Sequence, residues 1–106
     1  MPFVDKNIAI KNLANPKDFD IFKNRFLKMY KNGVEEIIRL YNNNDIDDLY
    51  TYISNINNIS LNIGSSILFN DTNEILDKIK RGELTPQILE DLYQTLRYVY
   101  DELELL

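Results

Sequence analysis

The stretch DIDDLYTYISNINNISLNIG, residues 45–64, decides the fold class. Its apolar side chains recur in steps of three and four residues, the spacing that places side chains on one side of an α-helix. Asp47 and Asp48 fall in the first turn, where carboxylates favour the positive end of the helix, and Gly64 suits a left-handed residue after the last turn. The stretch therefore predicts an amphipathic helix with a coiled-coil-like seam, made of Ile46, Leu49, Ile53, Ile56, Ser60 and Ile63.

A second helix is predicted upstream. Asn15-Pro16 is a helix start signal, because asparagine accepts hydrogen bonds from free amides and proline fits the first helical position. The pattern continues to about Asn43 and predicts one long helix, although Gly33 within it costs ~1 kcal/mol relative to alanine. Its apolar stripe consists of Phe19, Phe22, Phe26, Met29, Tyr30, Ile37, Leu40 and Tyr41.

Two further helices are predicted downstream. One covers residues 65–81 and stops at Gly82, with an inward face of Leu68, Thr72, Ile75, Leu76 and Ile79. Thr85-Pro86 repeats the cap-and-proline start signal for the last helix. The stripe of that helix consists of Leu89, Leu92, Leu96, Val99, Leu103 and Leu106.

These stripes predict the architecture. Each helix must bury one apolar stripe, and short connections place sequential helices antiparallel. The predicted fold is all-α: an antiparallel up-down-up-down four-helix bundle over residues 15–106, preceded by a short N-terminal arm or helix over residues 1–14. A chain of 106 residues suits one domain of this kind.

Composition and charge limit which partners and cofactors are expected. The net charge is −5 and the basic residues are scattered, so neither nucleic acid nor an anionic membrane is an expected partner. No stretch reaches the ~20 apolar residues of a membrane span, and no signal peptide is recognised, so a cytoplasmic protein is expected. Cysteine and histidine are both absent. Their absence removes the usual ligands of zinc, copper and haem, and no metal or cofactor is expected.

Catalytic residues are not expected either. Without histidine, no Ser-His-Asp arrangement can form. Neighbouring carboxylates occur in pairs, but adjacent helical residues diverge by about 100°, which predicts solvated faces. These pairs are Glu35-Glu36, Asp47-Asp48, Glu90-Asp91 and Asp101-Glu102.

The stretch from Asp48 to Gly64 resembles the phospho-accepting helix of histidine-containing phosphotransfer (HPt) domains. That family carries a His-x-x-Lys-Gly motif followed at fixed spacing by Asn-Ile-Gly or Asn-Leu-Gly, and Asn62-Ile63-Gly64 matches the ending. Counting back, Ser54 takes the phospho-acceptor position, Asn57 the lysine position and Asn58 the glycine position. The likeness covers roughly residues 19–104.

The resemblance implies a degenerate member of this family. A serine hydroxyl without an adjacent base is a far weaker nucleophile than the imidazole of the family. Asn57 lacks the charge of the lysine, and Asn58 adds bulk where the partner should approach. The resemblance therefore implies a monomeric module that binds a response-regulator receiver domain or a histidine kinase in two-component phosphorelay signalling, without accepting phosphate.

The predicted partner-binding residues are Tyr50, Ser54, Asn57, Asn58 and Leu61. Ser54, Asn57, Asn58 and Leu61 follow steps of three and four, which places them on one helix face beside the seam. Two alternatives stay open: a polar face in a domain that has drifted to another task, and a structural or assembly bundle that self-associates through its apolar stripes. An enzyme that uses Ser54 or the carboxylates is the weakest alternative.

Overall fold

The computed structural model describes residues 2–106, which are helical with no strand among them. The α-helices are α1 (Lys6–Asn12), α2 (Phe19–Met29), α3 (Gly33–Asn42), α4 (Ile46–Ser60), α5 (Ser66–Arg81) and α6 (Pro86–Glu104). Short 3-10 helices, Pro16–Asp18 and Leu61–Ile63, precede α2 and follow α4. The predicted all-α class is confirmed. Within residues 2–106, no helix has the combination of length and apolar character that crossing a bilayer requires.

The predicted start and stop signals act as expected. The side chains of Asn15 and Thr85 each accept a hydrogen bond from a backbone amide of the turn that follows. Ser65, predicted as the first residue of the third helix, is instead its N-cap and accepts from Leu68 N. Gly64 and Gly82 end their helices with positive φ values of 85° and 67°. Residues other than glycine are strained in this left-handed conformation. Gly64 and Gly82 therefore allow the chain to turn at the ends of these helices.

The single long helix predicted from residue 15 to about residue 43 is wrong. The chain leaves helical geometry at Tyr30, and α3 begins anew at Gly33. Gly33 is buried against α6, where a Cβ would lie only 3.0 Å from Leu96 Cδ2. The break also changes which side chain points inward, since Tyr30 is 4% exposed whereas Met29, predicted in the stripe, is 54% exposed.

The seam of α4 lies at the centre of the core. Leu49, Ile53, Ile56 and Ile63 are each 0% exposed. The one polar member, Ser60, is also buried and donates its hydroxyl hydrogen to Ile56 O at 2.7 Å, so its burial leaves no unpaired polar group. The seam is thus confirmed except at its margin, where Ile46 is only partly buried.

The stripe of α6 is confirmed over the length of the helix and wrong beyond it. Its buried members are Leu89, Leu92, Leu96, Val99 and Leu103. Leu106 is 59% exposed, because α6 ends at Glu104 and the chain no longer follows the helical period that would return Leu106 to the core.

Side-chain contacts give the helix directions. Lys80 near the end of α5 lies over the ring of Tyr50 near the start of α4, and Asn57 near the end of α4 bonds to the first half of α5. These two helices therefore run antiparallel. Across the next pair, Thr95 Oγ1 of α6 donates to Asp71 Oδ2 of α5 at 2.6 Å.

The predicted segment 1–14 contains α1 and packs on the rest of the chain; Met1 lies outside the described residues. The amides of Phe3 and Val4 donate to the Glu102 carboxylate at 2.9 and 3.2 Å. Asp5 N donates to Gly64 O at 2.8 Å. This segment therefore ties the end of α6 to the turn after α4.

Candidate functional site

The outer face of α4, defined here by Thr51, Ser54, Asn55 and Asn58, points away from the seam. Ile53 and Ile56 are fully buried and fix the rotation of the helix about its axis. Each following residue turns by about 100°, which carries Ser54 out of the core. Accordingly, Ser54 is partly exposed and Asn58 is exposed.

Asn57 does not share this outer face. Its Nδ2 lies 2.9 Å from Thr72 Oγ1 and 2.9 Å from Asn73 Oδ1, and it also lies 3.2 Å from Phe69 O. Thr72 is itself buried and donates to Leu68 O at 2.8 Å. The side chain at the lysine position of the resemblance therefore links α4 to α5, and its amide group is engaged within the chain.

Tyr50 and Leu61 lie toward the two ends of the predicted face. Tyr50 is partly buried, and Lys80 Nζ lies 5.7 Å from the centre of its ring, within the range of a cation–π contact. Leu61 is partly buried and belongs to the 3-10 helix after α4. The structure therefore brings Ser54 and Asn58 together, while Tyr50, Asn57 and Leu61 are engaged with neighbouring elements to different degrees.

On the side opposite α5, Asn58 lines a depression of about 300 Å³, hereafter the α2–α4 groove. Its wall from α2 and the cap residue of α2 consists of Phe22, Arg25, Met29 and Tyr30. Its wall from α4 and the following turn consists of Asn55, Asn58, Ile59 and Asn62. Arg25 is the one charged lining residue, and its guanidinium lies 5.1 Å from the centre of the Phe22 ring.

Tyr30, in the wall of the groove, packs against Tyr52 of α4. The rings of Tyr30 and Tyr52 meet edge to face with their centres 5.6 Å apart. Burial raises the pKa of Tyr30 above its ordinary value. Burial, with smaller contributions from Tyr30 and Glu36, raises the pKa of Tyr52 to about 12. Both hydroxyls therefore stay neutral near pH 7 and add no charge beneath α4.

The outer face offers hydroxyl and amide groups for polar contacts. Ser54 supplies a hydroxyl and Asn58 an amide, but the chain has no histidine to act as a base. Among residues 2–106, no group of three or more acidic side chains converges in a way that could hold a metal ion. The outer face suits recognition of another molecule by hydrogen bonds, and the adjoining groove adds apolar side chains.

Two larger depressions lie away from Ser54. One of about 410 Å³, near the break between α2 and α3, is lined by charges of both signs, including Lys31, Arg97 and Asp101. The other, of about 510 Å³, lies where Ile46, Ile79 and the chain around Gly82 meet. Neither lining includes a predicted partner-binding residue, so size alone does not identify the site.

Sequence reasoning missed the α2 side of the site. The apolar stripe predicts Phe22 and Met29 in the core; Phe22 packs against it and also lines the groove, whereas Met29 is exposed at the edge of the groove. The apolar pattern could not identify Arg25 as part of the site, because Arg25 is a charged residue. The one hint was the adjacent pair Met29-Tyr30, since only one of two neighbouring residues can point directly into the core.

Comparison of the chain with protein-family models, with curated proteins and with solved structures finds no match.

Proposed function

We propose that the chain is a non-catalytic docking module, similar to an HPt domain, that binds a receiver or histidine-kinase domain without accepting phosphate. Its binding surface is the outer face of α4, centred on Ser54 and Asn58. In this proposal the fold is a four-helix bundle formed by the broken α2–α3 unit, α4, α5 and α6, with α1 packed at one end.

The observation that carries the proposal is the placement of Ser54. It is partly exposed on a helix whose opposite side is fully buried, at the position where the resemblance places a phospho-acceptor. The exposed Asn58 beside it widens the accessible polar surface. The antiparallel contact of α4 with α5 agrees with a bundle. A hydroxyl without a base supports docking over phosphate transfer.

Self-association is the second candidate. Ile21 and Met29 on α2 are 55% and 54% exposed, and large apolar side chains in water favour contact with another surface. Under this alternative, the exposed apolar side chains of α2 would meet a second copy of the chain. Sedimentation velocity over a range of protein concentrations separates the two, because the docking module is expected to remain a monomer.

The test is the double variant Ser54→Arg/Asn58→Arg, measured for binding to purified receiver and kinase domains encoded in the same genome. Both side chains reach solvent, so we expect the melting temperature to stay nearly unchanged. Binding should fall by about a hundredfold, because two bulky cations at the centre of an interface block close approach.

The matched control is Gln87→Arg with Gln94→Arg, which likewise adds two arginines in place of neutral side chains, at exposed positions on α6. We expect this control to bind as tightly as the unmodified chain. Equal binding by the Ser54/Asn58 variant, or absence of binding by every receiver and kinase domain in the panel, would remove the docking function.

A further inference from the structure

The exposed edge of α2 combines apolar and basic side chains beside the α2–α4 groove. Ile21, Arg25 and Met29 follow one another in steps of four, so they lie along one side of the helix. Ile21 and Met29 are each more than half exposed, and Arg25 is exposed between them. The edge thus has two apolar contacts about 12 Å apart with a cation between them.

The charge around the groove opposes that of the whole chain. Residues 21–34 contain Lys23, Arg25, Lys28 and Lys31 and no carboxylate; of these, Lys23 pairs with Asp20 at 3.7 Å, and Arg25 lines the groove. Residues 49–63 contain no charged side chain. The chain as a whole carries a net charge of −5. None of the ion pairs among residues 2–106 involves Arg25, so its guanidinium is available to a carboxylate from outside.

The amides of α4 complete the surface. Asn55, Asn58 and Asn62 line the groove, and each amide nitrogen can donate to a carboxylate or a backbone carbonyl. The apolar contribution comes from Phe22, Met29 and Ile59. A groove with apolar walls, neutral donors and one cation is complementary to a segment that is both apolar and acidic.

We propose that the α2–α4 groove binds an acidic amphipathic helix of a partner protein. One apolar side chain of that helix enters beside Phe22 and Met29, and a second packs on Ile21. A carboxylate between them pairs with Arg25, and side chains on the α4 side meet the asparagine amides. The two apolar side chains of the partner must be about as far apart as Ile21 and Met29, which are about 12 Å apart. A helix with apolar residues seven positions apart and acidic residues between them meets this requirement, because two turns of helix span about 11 Å.

This inference rests on the proposed docking function, because Asn58 belongs both to the outer face of α4 and to the groove. It adds the chemistry of the partner, which the resemblance does not supply. It also adds contacts on α2, which the outer face of α4 does not include. The two ideas can therefore fail separately.

The test uses the full chain and a synthetic helical peptide of about 14 residues, four turns, with leucines seven apart and glutamates between them. A second peptide replaces each glutamate with lysine. Binding is measured by calorimetry, and the side-chain amide resonances of asparagine are followed by NMR. We expect the acidic peptide to bind and to shift the resonances of Asn55 and Asn58, and the lysine peptide not to bind.

The variants Arg25→Glu and Met29→Lys should each weaken binding of the acidic peptide by about tenfold or more, since a lost charge pair or apolar anchor costs over 1.4 kcal/mol. Arg97→Glu, an equal charge change at an exposed position on α6, should bind as the unmodified chain does. Both α2 positions are exposed, so folding is preserved and circular dichroism verifies it.

Failure of the acidic peptide to bind, equal binding of both peptides, or no effect of Arg25→Glu overturns the inference. A groove occupied by a second copy of the chain, detected as a concentration-dependent dimer abolished by Met29→Lys, overturns it as well. In each case the proposed docking function is judged independently, by whether Ser54→Arg/Asn58→Arg still abolishes binding of the receiver or kinase domain.

Discussion

The two flanks of α4, one facing α5 and the other facing α2, differ in how completely the neighbouring helix covers them. Toward α5, Asn57 bonds to several groups of the facing helix, and the side chains beneath it, Leu68 and Thr72, are fully buried. Toward α2, the α2–α4 groove remains, and Met29 at its edge is 54% exposed. We refer to these as the closed flank and the open flank.

The difference shows that one amphipathic helix can serve stability and recognition on separate sides. Asparagines occur on both flanks, yet only Asn57 is committed to a neighbouring helix. A polar residue on α4 therefore cannot be assigned to a binding surface by its type. Its assignment depends on whether the facing helix offers it partners.

The largest expected difference between the flanks concerns apolar side chains. Leu68→Ala on the closed flank should lower the free energy of unfolding by about 2–5 kcal/mol, because it leaves a cavity in a fully buried region. Met29→Ala on the open flank should change it by less than about 0.5 kcal/mol. Urea denaturation followed by circular dichroism measures both. Similar losses for the two variants would mean that the open flank is closed in solution.

A smaller difference is expected between Gly64, which ends the 3-10 helix after α4, and Gly82, which ends α5. A Cβ on Gly64 would lie 2.2 Å from Asp5 O, whereas a Cβ on Gly82 would meet nothing within 4 Å. Both have positive φ, so Gly82→Ala should cost only the conformational strain of about 1–2 kcal/mol. Gly64→Ala should cost about 1–3 kcal/mol more, because residue 5 must move. Thermal denaturation of the two variants gives the comparison, and equal losses would show that the N-terminal segment does not pack as described.

The smallest expected difference concerns the asparagines themselves. Asn57→Ala removes donors to Thr72 and Asn73 and should lower the free energy of unfolding by about 1–2 kcal/mol. Asn58→Ala removes an exposed amide and should stay within about 0.5 kcal/mol of the unmodified chain. Chemical denaturation measures both losses of stability. A larger loss for Asn58→Ala than for Asn57→Ala would contradict the assignment of Asn57 to the closed flank and Asn58 to the open flank.

Much of the fold follows from local rules. The seam of α4 could be predicted because it repeats without interruption over four turns. The caps at Asn15 and Thr85 could be predicted because they accept from amides close to them in sequence. The break between α2 and α3 could not be predicted. The apolar spacing continues across it, and a glycine penalty of ~1 kcal/mol does not decide between a helix and a turn.

The site was predictable only in part, because helix spacing defines a face but not its neighbours. Spacing placed Ser54 and Asn58 outside the core correctly. It could not show that α5 would offer Thr72 and Asn73 to Asn57, since those residues are far along the chain. The exposure of Met29 depends on the turn at Tyr30, which the spacing of apolar residues did not indicate.

The most direct test of the docking function maps a bound partner on the chain. A receiver domain from the same genome is titrated into isotope-labelled protein, and backbone amide shifts are followed by NMR. We predict that the largest shifts occur at Ser54, Asn55 and Asn58, with the Asn57 side chain unchanged. Shifts confined to α6, or no shifts with any receiver or kinase domain tested, would contradict the account.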